Sequence, residues 1–62
     1  MPFAENLVNL QKKKGVTNYR LAKDLGVHCS SVQNWRDGKM PQLYHAHAVA
    51  KYFGKSVEEM MK

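Results

Sequence analysis

The stretch from Asn18 to Asp37 constrains the fold more than any other part of the chain, because its pattern predicts two short helices joined at a glycine. Gly26 lies where the chain must turn, and glycine adopts a left-handed backbone conformation at little cost. On both sides of it, apolar residues recur at helical spacing. They are Leu21, Ala22, Leu25, Val27, Val32 and Trp35. The small side chain of Ala22 lets the second helix cross closely above the first, so the pattern predicts a helix-turn-helix packed on a small core.

The rest of the chain predicts further helices and no alternating, strand-like segment, so the expected fold is all-α with five helices. The predicted helices run from Pro2 or Phe3 to Lys14, from Asn18 to Leu25, from Cys29 to Asp37, from Gln42 or Leu43 to Phe53, and from Val57 to Met61. Thr17 is expected to cap the second helix, and Ser56 to form a capping box with Glu59 at the fifth. The expected apolar face of the fourth helix comprises Leu43, Ala46, Val49, Ala50 and Phe53.

Length and charge limit the functions that such a chain can perform. A chain of 62 residues is expected to form one domain, spanning residues 1–62, with a small core and no room for a deep substrate cleft. The formal charge of +5 favours a polyanionic partner, nucleic acid before membrane. A single cysteine excludes an internal disulfide, and no apolar run approaches the ~18 residues of a membrane span, which together with the lack of a signal peptide favours the cytoplasm.

Nothing in the sequence predicts catalysis, a cofactor or a small-molecule substrate. His45 and His47 are two residues apart on one helix and diverge, while His28 and Cys29 are adjacent and face different ways, so neither pair predicts a metal site. We interpret the three histidines as surface or edge groups. No Ser/His/Asp set, carboxylate pair or phosphate-binding glycine loop is present, which argues against an enzyme.

The outer face of the third helix is polar, uncharged and short-chained, and this favours double-stranded DNA over the simpler interpretation of an αα-hairpin in a bundle. The predicted base contacts in the major groove are Cys29, Ser30, Gln33 and Asn34. Gln33 or Asn34 could pair with adenine N6 and N7, whereas Cys29 offers only a weak or apolar contact, for instance to a thymine methyl.

Five further side chains are predicted to contact DNA phosphates around that helix. They are Asn18, Arg20, His28, Arg36 and Lys39. Asn18 begins the second helix, whose free N–H groups form an anion site, although it could also serve only as part of a cap. His28 is expected to contact phosphate more strongly when it is protonated at low pH. Arg20 has the alternative of being merely solvated, and Lys39 lies in the loop beside the third helix.

Four segments together resemble the Cro and phage-repressor type of helix-turn-helix domain, the large XRE-like family. They are LAKDLGV (Leu21–Val27), SSVQNW (Ser30–Trp35), DGKMP (Asp37–Pro41) and AKYFGKSVEEMM (Ala50–Met61). The resemblance implies a lambda-repressor-like fold of five helices in a bacterial or phage-encoded protein. It also implies binding as a homodimer to a two-fold operator whose half-sites lie about one helical turn apart.

Three departures from this family's pattern matter, and one of them is that Cys29 and Ser30 are short, so base contacts are expected to be sparse and specificity modest. Where the family often pairs an arginine with a glutamate, this chain has Gln11 and Arg36, so Arg36 is free to bond Gln11 or to reach a phosphate. His47 replaces a usually apolar residue, which predicts either a wetter core or a slightly turned fourth helix.

Three functional interpretations remain open at this point. The first is a sequence-specific regulator, favoured as a small Cro-like repressor of phage or mobile-element genes. The second is a protein-interaction module or antitoxin-like protein that uses the same fold, which would require an exposed apolar patch on the third helix. The third is that the chain is the N-terminal domain of a longer repressor.

Overall fold

A computed structural model describes residues 2–62 and contains five α-helices, with no strand among those residues. The helices span Pro2–Lys14 (α1), Asn18–Leu25 (α2), Cys29–Arg36 (α3), Leu43–Tyr52 (α4) and Val57–Met60 (α5). The all-α, five-helix fold with a helix-turn-helix at α2 and α3 is therefore confirmed. The ends of each helix agree with the predicted ones to within one residue. None of the described helices has the length and apolar character that crossing a membrane requires.

The predicted helix caps form as expected. The Thr17 hydroxyl accepts a hydrogen bond from the Arg20 N–H at 3.1 Å and begins α2. At α5, Ser56 Oγ accepts from the Glu59 N–H at 3.1 Å, and Glu59 Oε1 accepts from the Ser56 N–H at 3.0 Å. The hydrogen bond that the Ser56 N–H donates to the Glu59 carboxylate lowers the pKa of Glu59, because it stabilises the ionised form. Both signals are local, which explains why they can be identified in the sequence.

The turn between α2 and α3 closes through Gly26, which has φ 73° and ψ 29°. Its N–H donates to the Lys23 carbonyl at 3.2 Å, and the Val27 N–H donates to the Ala22 carbonyl at 2.9 Å. This pair of bonds is a Schellman motif, which satisfies the last carbonyls of α2. The turn therefore fixes the angle at which the chain enters α3.

We expect Gly26→Ala to lower the free energy of unfolding by about 1–2 kcal/mol, the cost of a left-handed backbone for a residue that has a Cβ. The space around the added Cβ is open, so the loss comes from the backbone and not from a clash. Chemical denaturation measures it. Gly26→Asn is the comparison, because asparagine tolerates this conformation better and should lose less. Equal stability of wild type and Gly26→Ala would contradict the prediction.

The core draws apolar residues from all five helices. Its buried members are Phe3, Ala4, Leu7, Leu21, Ala22, Val32, Trp35, Ala46, Val49, Ala50, Phe53 and Met60. Helix α1 packs against α3 and α5, α2 packs against α3, and α4 packs against α5. Helix α3 contributes Val32 and Trp35 to this core and leaves its opposite face outside.

One expectation for α4 is wrong. Leu43 is 68% exposed, although its spacing placed it with the core residues of this helix. It begins α4 one turn before Ala46, the first α4 residue that is buried. Between them the half-buried His45 ring packs against Trp35, with centroids 5.6 Å apart. His47 is exposed, so of the two alternatives for this residue the wetter core is excluded and the slightly turned helix remains.

Candidate nucleic-acid interface

The four predicted base-contacting residues lie together on the outer face of α3. Cys29, Ser30, Gln33 and Asn34 are all exposed, whereas Val32 on the opposite face is fully buried. Their spacing of i, i+1, i+4 and i+5 is what places them on one face of a helix. No large apolar side chain interrupts this face, so it offers hydrogen-bonding groups to a ligand.

His28 is the N-cap of α3, and its imidazole accepts a hydrogen bond from an N–H group in the first turn of that helix. The Ser30 N–H donates to His28 Nδ1 at 3.2 Å, and Ser30 Oγ lies 3.0 Å from the same nitrogen. An Nδ1 that accepts from an N–H carries no proton, so the neutral ring has its proton on Nε2, where it can donate outward. A phosphate contact through Nε2 therefore does not need a charged imidazole.

A hydrogen bond from Arg36 begins a chain of polar contacts that crosses three helices. Arg36 Nη1 donates to Gln11 Oε1 at 2.7 Å. Gln11 is only 3% exposed, and its Nε2 donates both to the Val16 carbonyl at 3.2 Å and to Asn18 Oδ1 at 2.9 Å. The sequence left Arg36 free to bond Gln11 or to reach a phosphate. In the structure the half-buried Arg36 bonds Gln11.

The chain of contacts continues to the outer face of α3. Asn18 Nδ2 donates to Gln33 Oε1 at 3.0 Å, and Gln33 Nε2 donates to Asp37 Oδ1 at 3.0 Å. We call the five residues Arg36, Gln11, Asn18, Gln33 and Asp37 the amide relay. Because both ends of the Gln33 amide are held, its position and orientation are defined before any ligand arrives.

Gln33 keeps hydrogen-bonding capacity for a ligand even within the relay. A side-chain amide has two N–H donors and two acceptor lone pairs, and the relay uses one of each. One donor and one acceptor remain, which is the pair that complements adenine N7 and N6. Asn34 is exposed, and its side chain makes no hydrogen bond within residues 2–62, so both of its polar groups are also available.

Arg20 lies on α2 in an ion pair with Asp24, at 3.0 Å from Nε to Oδ2. The Tyr52 hydroxyl donates to the same Asp24 oxygen at 2.6 Å and so joins α4 to α2. The bonds from Tyr52 and from Arg20 lower the pKa of Asp24, because both stabilise the carboxylate. The Arg20 side chain is 69% exposed despite its pairing, so its remaining N–H groups face solvent.

Lys39 is held beside the end of α3 by its own backbone. Its N–H donates to the Asn34 carbonyl at 3.0 Å, after Gly38 turns the chain at φ 110°. The Lys39 side chain is exposed. The structure therefore places a cation next to the outer face of α3, as the sequence indicates.

Sequence reasoning missed the part that Gln11 and Asp37 play in orienting other side chains. The available signal for Gln11 was its position four residues after Leu7, on the same stripe as Phe3, where a polar residue is expected to be buried and bonded. The signal for Asp37 was its i+4 spacing from Gln33. Among the described residues, no group of three or more histidine, cysteine or acidic side chains could hold a metal ion.

An exposed apolar patch begins beyond the end of α3. Met40 is 44% exposed, Leu43 68% and Tyr44 77%, in the loop before α4 and in its first turn. The patch adjoins α3 without including it. The second interpretation required such a patch on α3 itself, where the exposed side chains are polar.

Comparison with known proteins adds one finding. The chain is similar to the HTH-type transcriptional activator BcrR of Enterococcus faecalis. The two are 29% identical over 62 residues, which cover 98% of this chain and 30% of the relative. The similar region therefore includes the whole helix-turn-helix, while the chain spans less than a third of the relative's length. No protein-family model and no solved structure matches the chain.

Proposed function

We propose that the chain is a DNA-binding transcription regulator that inserts α3 into the major groove. The observation that carries this proposal is the oriented Gln33 amide at the centre of an exposed polar face. The charge of +5 and the similarity to an HTH-type regulator support it. In this proposal residues 1–62 form one DNA-binding domain.

The proposed contacts follow from where each side chain lies. Base edges are contacted by Cys29, Ser30, Gln33 and Asn34, and phosphates by Asn18, Arg20, His28, Arg36 and Lys39. Among the phosphate contacts, Lys39 and His28 are supported best, because Lys39 is exposed and His28 Nε2 can donate outward. Arg36 would use N–H groups that the bond to Gln11 leaves available.

The more specific proposal is a Cro-like repressor of phage or mobile-element genes that binds as a homodimer. The patch formed by Met40, Leu43 and Tyr44 supports a contact between two copies, because it is apolar and adjoins the DNA-facing helix. The surface around Val57 and Met61 is the other candidate. Repression and activation are distinguished by a reporter gene placed behind the selected site: a repressor lowers its expression and an activator raises it.

Fluorescence anisotropy with a labelled mixed-sequence duplex, titrated at several salt concentrations, tests the proposal. We expect binding that weakens steeply as salt rises, because each neutralised phosphate releases counterions. Absence of binding at low salt by a folded protein would contradict the proposal. It would favour the protein-interaction module, for which the exposed patch is the candidate contact, and a pull-down would follow.

Lys39→Ala is expected to weaken binding to all DNA sequences alike and to reduce the slope of log K against log salt by ~1, because one phosphate contact is lost. The measurement is the same anisotropy titration. Lys55→Ala is the control, since it removes the same charge from the groove between α1 and α5. Equal slopes for the two variants would contradict the role of Lys39.

A further inference from the structure

We infer that Gln11, a buried glutamine of α1, sets the base preference of Gln33 by fixing the direction of the amide relay, and that Gln33 consequently selects adenine. The inference rests on the proposed function. Gln11 contacts no DNA in this arrangement and acts through Asn18, so it is a positioning residue.

The direction of the relay follows from groups whose hydrogen-bonding role is fixed. A guanidinium only donates, so Arg36 must face the oxygen of Gln11. The Val16 carbonyl only accepts, so it must face the Gln11 nitrogen. These two neighbours determine where the oxygen and the nitrogen of the Gln11 amide lie. Because Gln11 is buried, water cannot replace either neighbour.

The same logic passes outward along the relay. Gln11 Nε2 donates to Asn18 Oδ1, so the Asn18 nitrogen is the atom that faces Gln33. Because this nitrogen is a donor, Gln33 must accept from it through its oxygen. The Gln33 nitrogen then faces Asp37, whose ionised carboxylate only accepts. All four bonds therefore run in one direction, from Arg36 to Asp37, and reversing any one amide would place two like groups together.

A fixed Gln33 amide distinguishes purines. One free donor and one free acceptor complement adenine, with N6 on the Asn18 side and N7 on the Asp37 side. Guanine presents two acceptors, O6 and N7, and would need a second donor that the relay has already used. A freely rotating glutamine would lack this constraint, so the selectivity depends on Gln11.

Gln11→Glu tests the inference, because glutamate accepts from Arg36 but cannot donate to Asn18 or to the Val16 carbonyl. Asn18 is then expected to turn its nitrogen toward residue 11 and its oxygen toward Gln33. The reversed Gln33 amide would place its oxygen against the Asp37 carboxylate. The fixed orientation is lost, although an ion pair with Arg36 keeps α1 tied to α3.

The experiment is selection of binding sites from random duplexes by wild type, Gln33→Ala and Gln11→Glu. Gln33→Ala identifies the base position that Gln33 contacts, as the position whose preference disappears. At that position we expect wild type to prefer adenine over guanine by about 5- to 150-fold. Gln11→Glu should reduce this ratio to about twofold or less, while the other positions keep their preferences.

Asn9→Asp is the matched control, since it makes the same charge change at an exposed position of α1. Gln11→Met, which removes both hydrogen-bonding groups at similar volume, is the second variant if Gln11→Glu does not fold. Circular dichroism establishes folding for each. An unchanged adenine preference in a folded Gln11 variant would overturn the inference, and so would an equal loss in Asn9→Asp. A wild type that selects no site would instead contradict the proposed function, together with the inference that rests on it.

Discussion

Gln33→Ala is expected to weaken binding to the preferred DNA site by about 1–3 kcal/mol while leaving binding to random DNA nearly unchanged. The reason is that Gln33 presents a donor and an acceptor side by side, held by Asn18 and Asp37. Phosphate contacts dominate binding to random DNA, and in the proposed arrangement this side chain makes none. Anisotropy titrations with the selected duplex and with a scrambled duplex of equal length measure both affinities.

Asn34→Ala is the companion variant, and we expect a similar loss at a different base position. Both side chains are exposed, so neither change should unfold the domain, and thermal melting checks this. Equal losses on selected and scrambled DNA would mean that the side chain contributes to general affinity and does not recognise a base.

Leu21→Ala is expected to lower the free energy of unfolding by about 2–5 kcal/mol. Leu21 is fully buried in the contact between α2 and the core, and its truncation leaves a cavity that a short helix cannot close. A chain of 62 residues has a total stability of about 3–9 kcal/mol, so this change removes a large part of it. Urea denaturation followed by the fluorescence of Trp35, the single tryptophan, measures the effect.

Leu43→Ala is the matched control, because it makes the same chemical change at a residue that is 68% exposed. Its effect on stability should stay within about 0.5 kcal/mol. A loss comparable with that of Leu21→Ala would mean that Leu43 belongs to the core after all. Comparable stability of Leu21→Ala and wild type would contradict the described packing of α2.

The features that the sequence predicted well are those decided within a few residues. Thr17 and Ser56 cap their helices because a hydroxyl there reaches an N–H three residues later, whatever the rest of the chain does. Gly26 ends α2 for an equally local reason, its backbone conformation. The polar face of α3 also follows from helical periodicity alone.

The features that were missed depend on distances between helices. Leu43 has the right spacing for the core of α4, but the core does not extend as far as the first turn of that helix. The bond between Asn18 and Gln33, 15 positions apart, was not predicted, and the bond between Gln11 and Arg36, 25 apart, was predicted only as one of two alternatives. Periodicity along one helix cannot specify which amide atom meets which partner on another, so the orientation of Gln33 required the folded structure.

If α3 enters the major groove as proposed, its length limits how many base pairs one copy of the domain can contact. Eight residues at about 1.5 Å each extend for roughly 12 Å, the axial length of about three to four base pairs. A given sequence of four base pairs occurs by chance about once in every 256 positions of random DNA. This is far too often to specify one site among roughly 10⁶ or more competing positions. A unique binding site would therefore require the recognition of two such sequences at a fixed spacing. On this argument, the contact that sets the spacing between two copies would contribute as much to specificity as the side chains that touch the bases.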